Sequence, residues 1–110
     1  MTNNKKEEFS ADQQELAEIA RVLSHPARIA IIQLLAQKQE IKTGDISEFL
    51  PISRTTVSQH LKELKNAGLI KGTIDGLKIH YCLNEEKLLD INVKISGLIG
   101  SCCGGIKCEC

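Results

Sequence analysis

The stretch Ser53–Gly68, SRTTVSQHLKELKNAG, decides how the rest of the chain is read. Ser53 is a natural helix N-cap, and Gly68 suits the left-handed position just past a helix end. Between them Val57, Leu61 and Leu64 recur at i, i+4, i+7, a narrow apolar stripe that predicts burial against a core. At about 100° per residue, Thr55, Gln59 and Lys62 point away from that stripe, with Arg54 and Ser58 beside them. Short hydroxyls, an amide and cations, with almost no acid, suit base edges and phosphates. An ordinary solvated helix face has the same look, so the flanking sequence must decide.

A chain of 110 residues has the length of one domain. Folded alone it would bury roughly two-thirds of its unfolded surface, enough for a small core and too little for a large enzyme cleft. Aromatics make up only 3% of the residues, so that core must be built from Leu, Ile, Val and Ala. No apolar run approaches the ~20 residues of a membrane span, and no secretory leader is visible, which predicts a cytoplasmic chain. Formal net charge is zero, but the charges are segregated. Residues 1–20 set Lys5 and Lys6 against Glu7, Glu8, Asp12, Glu15 and Glu18; residues 51–81 set Arg54, Lys62, Lys65, Lys71 and Lys78 against Glu63 and Asp75 alone. Such a chain can hold nucleic acid on one face with modest non-specific affinity.

Residues 1–9 read as a flexible terminus, residues 10–100 as one folded unit and residues 101–110 as a cysteine-rich tail. Ser10-Ala-Asp-Gln13 resembles a capping box, and Leu16, Ile19, Ala20 and Leu23 continue a helix from it. Ser24-His25-Pro26 breaks the chain, with Pro26 suited to the first position of a second helix. That helix, Ala27–Gln37, is apolar on nearly every side and is expected to be central and buried. A short third helix is expected over Thr43–Leu50, ended by Pro51 and followed at once by the opening stretch, which together fit a helix-turn-helix. After Gly68 the period changes. Leu69–Ile74 and Leu77–Leu83 flank Asp75-Gly76, the signal for a tight hairpin. Asn84-Glu85-Glu86 then caps a fifth helix, apolar along Leu88, Ile91, Ile95, Leu98 and Ile99 and again along Leu89 and Val93. A terminal helix apolar on two sides needs a second surface, and a partner copy is the simplest. The expected fold is therefore mainly α: a dimeric winged helix-turn-helix of five helices with a two-stranded hairpin wing.

At this point the chain resembles the ArsR/SmtB family of small dimeric metal-responsive repressors. The resemblance rests on Leu23-Ser-His-Pro-Ala-Arg28, on Ser53-x-x-Thr-Val-Ser-x-His-Leu61-Lys, on Leu64-x-x-Ala-Gly-Leu-Ile70 and on Asp75-Gly76 with Tyr81, and spans roughly residues 15–90. It implies that the opening helix enters the major groove of operator DNA, that the hairpin is the wing, and that the first and last helices form the dimer. Thr55, Ser58 and Gln59 would then face bases, Arg54, Lys62, Lys71 and Lys78 would mainly hold phosphates, and Thr56 would belong to the same DNA-binding set. Three familiar inducer sites of the family are missing here. Residues 43–50 lack cysteine, the last helix reads Asp90-Ile-Asn92 and has no histidine, and the recognition helix has no cysteine.

The tail offers another site. Four of five cysteines stand in the last nine residues: Cys102, Cys103, Cys108 and Cys110. In a chain without a leader this density points to metal binding or redox chemistry rather than structural disulfides. The arrangement looks like that of arsenic-sensing family members, which implies arsenite, antimonite or a methylarsenite as inducer. Cys102 and Cys103 would be joined by Cys108 or Cys110 around a three-sulfur centre; four thiolates would instead suit zinc or cadmium. A thiol redox switch on the same fold is the rival reading. Cys82 reads as an inert half-buried thiol, His60 and His80 as structural or phosphate-contacting, and His25 as part of the turn before Pro26. No acid/base pair, phosphate loop or Cys–His pair supports an enzyme.

Overall fold

The computed structural model of the chain describes residues 8–38, 41–42, 46–76 and 78–103. Its elements run α1 (Ala11–Val22), α2 (Pro26–Lys38), β1 (Ile41–Lys42), α3 (Arg54–Asn66), β2 (Ile70–Asp75), β3 (Lys78–Leu83) and α4 (Glu85–Cys103). Four helices are thus described where the sequence suggests five. The expected helix over residues 43–50 begins outside the described residues, and its described part passes from helical Ile46 into a turn in which Phe49 N–H donates to Ile46 O at 3.1 Å. Among the described residues no single helix is long and apolar enough to cross a membrane.

The helix boundaries follow from local chemistry. Ser10 and Gln13 form the reciprocal capping box of α1: Gln13 N–H donates to Ser10 Oγ at 3.1 Å and Ser10 N–H to Gln13 Oε1 at 2.9 Å. His25 caps α2 with its carbonyl, which accepts from Arg28 N–H and Ile29 N–H at 3.0 and 3.2 Å, and Pro26 opens the helix where no amide hydrogen is needed. Ser53 Oγ accepts from Thr56 N–H, and α3 ends as Gly68 turns to φ +84°. Asn84 caps α4 and also donates twice backwards, from its backbone N–H to Leu69 O and from Nδ2 to Gly68 O, both at 2.9 Å. The start of the last helix is therefore bonded to the end of α3.

The core gathers Ile19 and Val22 of α1, Ile31, Leu34 and Leu35 of α2, Ile46, all three stripe residues of α3, Leu69, Ile70, Tyr81 and Ile91. Val57, Leu61 and Leu64 are fully buried, as the i, i+4, i+7 spacing requires. The expectation that α2 is buried all round needs correction, because Ile29 is 39% exposed and only one side of the helix meets the core. Arg28, on that buried side, is the one buried charged residue among those described. Its guanidinium donates from Nη1 to Val22 O and from Nε to His60 Nδ1, both at 3.0 Å, so one side chain joins the end of α1 to α3.

The sheet differs from the sequence expectation in two ways. The hairpin gains a short third strand, giving the order β1-β3-β2 with all pairs antiparallel. In addition, β2 runs through Asp75, which pairs with Lys78, so the strand extends one residue into the expected Asp75-Gly76 turn, and Gly76 takes φ +65°. The register is fixed by packing. Gly72 lies opposite Tyr81, and a Cβ there would sit 3.2 Å from the Tyr81 ring and 3.3 Å from Ile79. A one-residue slip would turn Tyr81 out of the core.

Truncating the middle of the α3 stripe tests this core. Leu61→Ala should cost about 2–5 kcal/mol and lower the thermal midpoint by on the order of 10 °C or more, read by circular dichroism melting.

Candidate DNA-binding face and cysteine site

The outer side of α3 is polar for the same reason that its inner side is apolar: a 13-residue helix packed along one stripe leaves the opposite residues in water. Arg54, Thr55, Ser58, Gln59 and Lys62 are all exposed there. Thr56 is half-buried instead, and its Oγ1 accepts from Ser53 Oγ at 3.0 Å within the N-cap. Lys65 extends the exposed row, since 58, 62 and 65 follow i, i+4, i+7, and its Nζ lies within 3.4 Å of the point a Gly72 Cβ would occupy. Lys65 thus reaches the Gly72 face of β2, opposite the face that carries Lys71. Sequence reading counted Lys65 in the basic segment without placing it on this surface; its helical spacing was the available signal.

On the wing the strand pairing separates two faces. Ile70, Gly72 and Ile74 share one face with Ile79, Tyr81 and Leu83. Lys71 and Lys78 stand on the other with Thr73, His80 and Cys82, and both lysines are exposed. Cys82 is half-buried and faces away from Tyr81, as alternation along the strand predicts. The acid of α3 is drawn sideways. Glu63 Oε2 lies 3.9 Å from Arg21 Nη2, and Arg21 also pairs with Glu18 at 2.7 Å. Positive charge is left to dominate the outer side of α3.

His60 sits at the edge of this face. It is half-buried, accepts from Arg28, and its ring lies 5.5 Å from that of His25. Burial, then the guanidinium of Arg28 and His25, hold its pKa below the ordinary histidine value of 6.5.

The second candidate site lies at the far end of α4. Cys102 and Cys103 are both free and exposed in the last turn of that helix, while Cys108 and Cys110 lie outside the described residues. Among the described residues no three His, Cys, Asp or Glu side chains converge as a metal site, so Cys102 and Cys103 do not complete one between themselves. Adjacent residues on a helix point about 100° apart, so one small centre can take both sulfurs only if the last turn loosens. In its middle α4 is held to α1 by Lys94, whose Nζ donates to Glu15 Oε1 at 2.6 Å and Asp90 Oδ2 at 2.9 Å. Those bonds hold the Glu15 carboxyl below the usual carboxylate range and push the Lys94 ammonium up. Sequence periodicity carries no trace of this contact, because its partners stand far apart in the chain. Beyond it, Leu89, Val93, Ile95, Leu98 and Ile99 leave a large apolar surface exposed along α4, with Phe9 exposed before α1.

Comparison with known proteins agrees with this arrangement. Residues 25–71 match the family model described as bacterial regulatory protein, arsR family. The arsenical resistance operon repressor of Staphylococcus xylosus is 35% identical over 95 residues, which cover 86% of this chain and 89% of that protein. A cadmium resistance transcriptional regulatory protein CadC homolog of Staphylococcus aureus is 29% identical over 82 residues, covering 74% and 68%. Among solved structures, a possible transcriptional regulator for arsenical resistance superposes with a TM-score of 0.65 at 29% identity, covering 71% of this chain and 80% of that one. A homodimeric winged helix-turn-helix DNA-binding domain from Mycobacterium bovis shares the fold, with a TM-score of 0.65 at 21% identity over 100% and 97% of the two chains. With α3, its exposed cations and the wing in place, the chain belongs to the arsR family of bacterial regulatory proteins and is a DNA-binding transcriptional repressor, not an enzyme.

Proposed function

We propose that this repressor works in the cytoplasm as a homodimer and leaves its operator when Cys102, Cys103 and a third tail thiolate, from Cys108 or Cys110, capture arsenite, antimonite or a methylarsenite. The observation that carries the reading is the pair of free, exposed thiols at the end of α4, with two more cysteines within the next seven positions. Thiolates are soft ligands, and trivalent arsenic and antimony favour three sulfurs. The arsenical repressor of Staphylococcus xylosus supports the choice of inducer, while the cadmium-resistance relative keeps a four-thiolate cadmium or zinc site as the second reading.

In this reading the exposed apolar side of α4 is covered by the second copy, as befits a patch of large side chains along one helix. A two-fold axis then sets two α3 helices about 34 Å apart, in successive major grooves. Arg54 and Lys62 on α3, with Lys71 and Lys78 on the wing, hold phosphates; Thr55, Ser58 and Gln59 meet base edges, and Thr56 keeps the N-cap in shape. Gathering Cys102 and Cys103 around one centre unwinds the last turn of α4. That helix is bonded to α3 through Asn84 and to α1 through Lys94, so its displacement reaches both the reading helices and the dimer. Induction requires the inducer to favour the DNA-free form; a hundredfold preference corresponds to about 2.7 kcal/mol.

Four measurements check these assignments. With reduced protein, arsenite should weaken operator binding in a fluorescence anisotropy titration, and Cys102→Ser or Cys103→Ser should abolish that response while leaving arsenite-free affinity intact; release by peroxide alone would instead support the redox switch. Lys62→Ala should reduce the slope of log affinity against log salt by about 1, whereas Gln59→Ala should relax base preference at one position by about 1–3 kcal/mol. Val93→Glu should give a monomer in sedimentation equilibrium and lose most of the operator affinity, because one recognition helix then binds without its twin.

A further inference from the structure

We propose that His60 is a positioning residue for DNA reading: its neutral imidazole, bonded to buried Arg28, fixes the recognition helix, and protonation releases it. The inference rests on the reading of α3 as the recognition helix.

The geometry allows one proton arrangement. Arg28 Nε carries a hydrogen and donates to His60 Nδ1 at 3.0 Å, so Nδ1 must be bare and the ring's single hydrogen sits on Nε2. Arg28 cannot adapt by losing its own proton. Nor is it free to swing away, because it is buried and its Nη1 donates to Val22 O at 3.0 Å. A proton added at Nδ1 would set two donors and two cations face to face.

The surroundings oppose that proton from nearly every side. Arg28 reaches in from α2, the His25 ring lies 5.5 Å away at the start of α2, and Lys62 flanks the site on α3. Glu63 is the acid nearby, and Arg21 of α1 lies 3.9 Å from its carboxylate. The depressed pKa of His60 agrees with this arrangement. A proton can still arrive, since a depression of about 370 Å³ lined by Arg28, Gln59, His60, Lys62, Glu63 and Asn66 opens to solvent.

His60 stands between Gln59 and Leu61 in the chain, so whatever fixes its backbone also fixes the rotation of the exposed row against the buried stripe. The consequence is directional. The Arg28–His60 bond is intact above about pH 6.5 and is lost as pH falls through the depressed pKa of His60. Protonation also adds a positive charge beside DNA, which raises binding to any sequence. The quantity that falls is therefore discrimination, the ratio of affinity for a selected duplex to affinity for a scrambled one.

The test uses the full reduced chain and a duplex that it enriches from a random-sequence pool at about pH 7.5. Discrimination is measured between about pH 5 and about pH 8. It should drop about tenfold or more toward acid, the loss expected for one hydrogen bond to a charged group. The midpoint should coincide with the His60 titration followed by ring NMR, and not with that of His25 or His80. His60→Asn, which presents Oδ1 as an acceptor that does not protonate, should retain discrimination and flatten the profile. His60→Leu should discriminate poorly at every pH. A flat profile in the unsubstituted protein, a midpoint that follows another histidine, or the same profile in His60→Asn would each overturn the proposal. Gln59→Ala separates the two readings: if it lowers discrimination while pH has no effect, only the role of His60 falls; if it leaves discrimination intact, the assignment of α3 falls with it.

Discussion

Burial of Val57, Leu61 and Leu64 is the constraint on which the rest of the molecule depends. Three fully buried branched side chains contribute on the order of 5–9 kcal/mol of transfer free energy, an upper value that is still comparable with the whole net stability of a small domain. No other packing of α3 recovers that sum, because its remaining positions are polar. The helix is therefore held with this stripe inward, which places Thr55, Ser58, Gln59 and Lys62 outward and leaves its finer setting to contacts such as Arg28–His60. The exposed polar face and the packing face are two sides of one pattern.

This coupling explains why so much was legible in the sequence. Caps, turns and stripes are local, and local chemistry decides them. Ser10 with Gln13, Ser53 with Thr56, and Gly68 at φ +84° all stand where residue type alone put them. What escaped notice is non-local. Arg28 and His60 are 32 residues apart, and Glu15 and Lys94 are 79 apart; no periodicity announces either bond. Strand β2 runs through Asp75 because an Asp-Gly signal marks a turn without fixing its register, which here follows from Gly72 yielding space to the Tyr81 ring. A two-residue strand such as β1 is too short to leave any pattern. Part of the thiol site lies beyond the described residues, so there only the spacing of the cysteines speaks.

The arrangement of α4 gives the molecule a lever. Nineteen residues at 1.5 Å each make a rod about 28 Å long, bonded to the end of α3 at one end and carrying two thiols at the other. Lys94 clamps its middle to α1. An exposed ion pair contributes little to stability. Its worth here is geometric, since it permits α4 to move only together with α1 or after the bridge has broken. In the proposed function, ligand chemistry at the tail need not touch α3 to be felt there; it need only favour a different setting of the rod.

The zero net charge gives the geometry its importance. A strongly basic repressor would hold DNA through phosphates whatever the angle of its helices. Here five cations and two acids across residues 51–81 are offset by the acidic first twenty residues, so long-range attraction is weak and screened within about a Debye length. In the proposed reading, binding then depends on short-range contacts made by a few side chains on each α3, and these are lost when α3 is turned or spaced wrongly. Small displacements can therefore act as a switch. A guanidinium hydrogen bond or the loosening of one helical turn involves energies of only a few kcal/mol, and in a protein with so little electrostatic reserve that is enough to decide whether DNA is held.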